Sequence, residues 1–157
     1  MSKSFVLRSL LALSLGMSGT AAAVQRPNES AVQVFKSPTC GCCSKWVDHM
    51  RSAGFAVTVQ DLPDADLQKL KRKLGIPQSL ASCHTALLGA NVFEGHVPAS
   101  EIKRFLKDTR QAVGLAVPGM PIGSPGMEVP GATPPPYDVV SFDKERKTQV
   151  FSTQRPQ

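Results

Sequence analysis

A chain of 157 residues with 18 Lys and Arg, 12 Asp and Glu and 41% hydrophobic residues has the size and composition of one globular domain with an appended tail. Its net charge of +6 gathers at Lys69, Lys71, Arg72 and Lys73 and again at Lys144, Arg146 and Lys147, which read as a solvated helix face and a charged turn. With one Trp and one Tyr to interleave with those cations, the composition argues against nucleic-acid binding.

The first 23 residues read as a secretory signal: basic Lys3 and Arg8, an apolar run from Leu10 to Met17, and Ala21-Ala22-Ala23 at the cleavage point. The run is broken by Ser14 and Gly16 and is too short to cross a bilayer, so no permanent membrane anchor is expected. Export is expected, with 24–31 a flexible lead-in and 32–157 a single domain. Val32 to Lys36 alternates apolar and polar residues, the pattern of a half-buried strand. After Ser37-Pro38, Ser37 or Thr39 can cap a helix that holds Cys40 to Cys43 in its first turn and continues through Trp46, Val47 and Met50 to Gly54. Phe55 to Val59 reads as a second strand. Ala65 to Leu74, capped by Asp64 and closed by Gly75, puts Leu67, Leu70 and Leu74 on one stripe. Ala81 to Leu88 and Asn91 to Val97 make an antiparallel hairpin, and Ser100 caps a helix through Ile102, Phe105 and Leu106. The order β-α-β-α-β-β-α predicts an α/β fold, a small mixed sheet with flanking helices in a thioredoxin-like layout. Residues 112–136 are rich in Pro, Gly and Met and are expected to be a loop; Pro-Gly-Met occurs at 118–120 and at 125–127. Tyr137 to Phe142 and Thr148 to Phe151 flank a charged turn and predict a terminal hairpin over 137–151.

Cys40, Cys42, Cys43 and Cys83 carry the chemistry. In an oxidising compartment, two structural disulfides are the plain alternative. Spacing works against it, because a Cys42–Cys43 bridge closes a strained ring and a Cys40–Cys43 bridge leaves Cys42 only Cys83. A C-x-x-C from Cys40 to Cys43 at a helix N-terminus also suits thiol–disulfide exchange, since the dipole and free N–H groups favour a thiolate. The same thiolate is what a soft metal needs, and Cys42 adds a third sulfur that an exchanger does not want. Sulfur donors select Cu(I), whereas zinc calls for paired Cys/His arms and iron–sulfur clusters for another spacing. Sulfurs this close can bridge more than one copper. A Cu(I) site on Cys40, Cys42, Cys43 and Cys83, with room for a multinuclear cluster, is the leading reading; an oxidoreductase using Cys40 and Cys43 and a structural zinc module stand as alternatives.

Four more side chains join the candidate ligands. His84 follows Cys83 and, on a strand, points to the opposite side, as a ligand from a twisted backbone or as a supporting group. His96 sits beside Gly95 in a position to reach the metal. Met120 and Met127 offer thioethers, which bind Cu(I) without losing a proton, and at least one is expected to do so. His49 is about 10 Å along the helix from Cys42 and reads as structural, and Trp46 as core beneath the cluster.

The blocks Lys36-Ser37-Pro38-Thr39-Cys40-Gly41-Cys42-Cys43, Ser82-Cys83-His84-Thr85-Ala86, Glu94-Gly95-His96-Val97-Pro98, Gly114-Leu115-Ala116-Val117-Pro118-Gly119-Met120-Pro121 and Gly123-Ser124-Pro125-Gly126-Met127-Glu128 resemble the CopG-type family of periplasmic copper-resistance proteins. The resemblance runs from about Val32 to Phe142. It implies a thioredoxin-like fold, the periplasm of a Gram-negative cell, and copper at the four cysteines. It also implies a role in sequestering, passing or redox-cycling copper among other copper-handling proteins, that of a metal-binding protein more than of an enzyme.

Overall fold

Alternating burial along Val32-Gln33-Val34-Phe35-Lys36 makes this segment the first strand, β1 (Val32–Lys36), with Val32 and Val34 in the core. The computed structural model describes residues 30–107 and 112–156, so the expected signal at 1–23 and most of the lead-in lie outside the described residues. After β1 come α1 (Gly41–Ser52), β2 (Val57–Asp61), α2 (Asp64–Lys73), β3 (His84–Leu88), β4 (Asn91–Glu94), α3 (Ala99–Phe105), β5 (Gly114–Ala116), β6 (Tyr137–Phe142) and β7 (Thr148–Gln154). Among the described residues the strands form one mixed sheet in the order β2-β1-β3-β4-β5-β6-β7. The pairs β1·β2 and β4·β5 are parallel, as connections through α1 and α3 require, and the other neighbours are antiparallel.

Successive strand residues face opposite sides, and both sides are covered. Ala86, Phe93 and Leu115 meet Trp46, Met50, Ile102 and Phe105 from α1 and α3; Leu87, Val92 and Ala116 meet Ile76, Leu80 and Phe142 on the other face. On α1 the buried residues Cys43, Trp46, Val47 and Met50 follow helical spacing, so packing the helix onto the sheet fixes the rotation of its first turn. Full burial of each such large apolar side chain contributes about 1.5–3 kcal/mol.

Boundaries depart from the sequence expectation for local reasons. Neither Ser37 nor Thr39 caps α1: Cys40 takes that position, its Sγ accepting the Cys43 N–H at 3.3 Å. Pro63 rather than Asp64 precedes α2, and Pro98 rather than Ser100 precedes α3, because the fixed φ of proline already suits the cap position. The second strand starts at Val57, since Phe55 N–H still bonds Met50 O at the end of α1. β3 begins at His84, after a 3-10 turn over Gln78–Leu80, and β4 stops at Glu94. The segment 112–136 is not loop throughout: Gly114, Leu115 and Ala116 are buried and paired on both sides as β5. Lys71, read as solvated, is 3% exposed. The terminal hairpin is β6–β7, its second strand running on to Gln154.

Candidate metal centre

The centre forms where the C-terminal end of β1 leads into α1 and the chain leading into β3, the neighbour of β1, passes beside it. β1 delivers Cys40 to the N-cap of α1 and Cys42 and Cys43 to its first turn, while Cys83 immediately precedes β3. The four Sγ atoms lie within 4.8 Å of one another. Cys40 and Cys43 are joined as a disulfide with Cα atoms 5.4 Å apart, and Cys42 and Cys83 are free thiols. One bridge therefore forms where the spacing argued against two, and no second bridge accompanies it. In this oxidised form Cys40 and Cys43 offer no thiolate, so a four-sulfur donor set exists only after reduction. The Cys42 sulfur sits 3.5 Å from Cys40 Sγ. Burial, with the nearby Cys42 adding to it, pushes the Cys83 thiol up to about 11, so at neutral pH it keeps its proton until a cation displaces it.

Cys83 also belongs to a second set with His84 and His96, whose ligand atoms again lie within 4.8 Å of one another. His96 Nδ1 is 2.8 Å from Pro125 O; a carbonyl only accepts, so Nδ1 carries the hydrogen and Nε2 aims its lone pair at Cys83 Sγ, 3.0 Å away. A histidine held this way by a carbonyl is oriented as metal-binding histidines are. His84 does not turn away from Cys83 as strand alternation predicted, because Cys83 lies just before β3, where the alternation has not begun. Its Nδ1 is 3.3 Å from Cys83 Sγ, and its Nε2 is buried without a hydrogen-bond partner among the described residues. Burial lowers the pKa of both rings, of His84 well below the usual value with His96, Lys71 and Lys36 adding to the effect. Both are then neutral at pH 7, the form that donates a lone pair to a metal.

The surrounding residues hold this arrangement. Trp46 is fully buried, its ring 4.5 Å from that of His84 and its Nε1 donating to Val97 O at 2.8 Å. His49 has a structural job, accepting the Ala99 N–H at 3.1 Å on Nε2. Met127 lies half-buried in a loop pressed onto α1, and Met120, 53% exposed, follows Gly119, whose carbonyl accepts from the Ser82 hydroxyl. Sequence reasoning missed the polar support behind Cys83: buried Lys71 and Glu94 are paired at 2.5 Å. The signal was present, since Lys71 stands four residues after Leu67 on the buried stripe of α2.

Two solved structures resemble the chain, described as copper resistance protein CopG, Form 1 and Form 2. The first is 38% identical with a TM-score of 0.73, covering 81% of this chain and 98% of its own. The second is 40% identical with a TM-score of 0.72, covering 79% and 97%. A family model described as a protein of unknown function, DUF411, matches residues 80–127, the span holding Cys83, His84, His96, Met120 and Met127. No curated protein matches.

Proposed function

We propose, given that the chain belongs to the CopG family of copper resistance proteins, that it is exported to the periplasm and there sequesters or passes on Cu(I) as its cargo. The carrying observation is the gathering of four sulfurs within 4.8 Å, with two neutral imidazoles converging on one of them. Reduced, Cys40, Cys42, Cys43 and Cys83 supply thiolates that select a soft cation, in number enough to bridge several. His96 and His84 add nitrogen at Cys83, and at least one of Met120 and Met127 closes over the site with a thioether. The strand order β2-β1-β3-β4, with α1 between β1 and β2, supports the thioredoxin-like reading of this part of the domain. Other copper-handling proteins of the same compartment would deliver and collect the metal.

The Cys40–Cys43 bridge favours a redox element within this function. Opening it consumes two electrons, which two Cu(I) ions going to Cu(II) would supply, and two protons, which solvent would supply. It equally supports a second reading, thiol–disulfide exchange by Cys40 and Cys43 without metal. Copper stoichiometry and copper-edge X-ray absorption of the reduced protein separate the two. Several sulfur-bound Cu(I) ions, fewer in Cys42→Ser, are expected for the first. No bound copper, or binding indifferent to Cys42→Ser, would sink it. Insulin reduction by the metal-free protein, lost in Cys43→Ala but kept in Cys42→Ala, would establish the second. Zinc retained under copper challenge would point instead to a structural zinc module.

A further inference from the structure

Glu94 is a carboxylate with no exposed surface, and its bonds lead to the candidate centre. Oε1 accepts from Lys71 Nζ at 2.5 Å and from Ser82 N–H at 2.6 Å, while Oε2 accepts from Thr85 Oγ1 at 2.6 Å. Lys71 Nζ donates also to Thr85 Oγ1 at 2.9 Å. A buried ion pair is a weak source of stability, because desolvating two charges offsets most of their attraction. What this pair does supply is a fixed acceptor for one backbone N–H, that of the residue before Cys83. Ser82 and Cys83 precede β3, so no strand ladder holds their backbone.

We propose that Glu94 is a positioning residue for Cys83: its carboxylate pins Ser82 N–H so that Cys83 Sγ stands 3.0 Å from His96 Nε2 and beside the α1 sulfurs, while Lys71 from α2 only offsets the buried charge. Neither side chain touches the metal. The significance of the pair rests on the copper reading above, but the positioning itself is open to a metal-free test. In the reduced full chain without copper, the rate of iodoacetamide modification at Cys83 is followed relative to Cys42 by peptide mapping. Lys71→Met with Glu94→Gln removes both charges yet leaves an oxygen for Ser82 N–H, and the ratio should stay within about twofold of the unaltered protein. Lys71→Met with Glu94→Leu removes the acceptor, and the ratio should rise about tenfold as Cys83 leaves its half-buried seat. Should the leucine variant fail to fold, Ser82→Pro removes the N–H alone, with Ser82→Ala as control for the hydroxyl, and the rise should appear only with proline. Equal ratios for glutamine and leucine, or for proline and alanine, overturn the proposal. The expected rise in a protein that binds no copper in any form would uphold the positioning role and overturn the copper reading instead.

Discussion

Pro118-Gly119-Met120 and Pro125-Gly126-Met127 share a tripeptide and a left-handed glycine, at φ 66° and 86°, yet they occupy opposite situations. A Cβ at Gly119 would meet nothing within 4 Å, whereas one at Gly126 would lie 2.8 Å from Cys42 O and 2.9 Å from Trp46 N. The first copy is a tether, hung from the Ser82 hydroxyl by its glycine carbonyl. The second is a wedge, driven against the first turn of α1 and bonded to His96 through Pro125 O. Identical local sequence thus yields the same left-handed glycine, and the neighbours decide whether it shapes the centre or decorates it.

The largest effect is expected at the wedge. Gly126→Ala combines left-handed strain with a clash against backbone that cannot move aside, and should cost about 3 kcal/mol, read as a loss of roughly 10 °C in thermal unfolding. If Gly126→Ala and Gly119→Ala lose equal stability, the contrast fails. The next test is pH. Burial lowers the pKa of His84, His96 and His49, so below about 6.5 the unfolded chain binds more protons than the folded one. Stability should therefore fall as pH drops from 7 toward 5, in urea unfolding of metal-free protein. His96→Gln, at the wedge, should flatten that slope, and Ser82→Ala, at the tether, should leave it unchanged. Gly119→Ala and Ser82→Ala should each cost only about 1 kcal/mol. Smallest in stability, under about 1 kcal/mol, are Met120→Leu and Met127→Leu, which nearly conserve volume; the double variant should nevertheless lower Cu(I) affinity on the order of tenfold in a competition titration.

Periodicity made β1, α1, the β3–β4 hairpin and the terminal hairpin legible, because each buries one face and repeats accordingly. The three-residue β5 carries no period of its own and exists through partners on both sides, β4 some twenty residues before it and β6 some twenty after. Cys40 escaped notice as the α1 cap because capping rules favour oxygen, and here sulfur accepts the bond. Cys83 stands among the candidate ligands on its chemistry alone, and the pairing of β3 beside β1 is what brings its sulfur to the α1 cysteines. The spacing of Lys71 from Leu67 already marks it as buried, but only the fold brings Glu94 to it across 23 positions. Spacing argues against two bridges and not against one between Cys40 and Cys43, since a first helical turn brings an N-cap residue and its third neighbour close enough to bond.

That bridge joins an outer sulfur to an inner one, since Cys43 has no exposed surface while Cys40 keeps some. A reductant arriving from solvent must strike Cys40, and Cys43 is the leaving group, released inward beneath the helix. Any mixed disulfide with a donor protein should accordingly form at Cys40, and a second thiol of the donor then displaces Cys40 to complete the two-electron reduction. Electrons enter this molecule from one side, at a residue the solvent can reach, and end up on a sulfur it cannot.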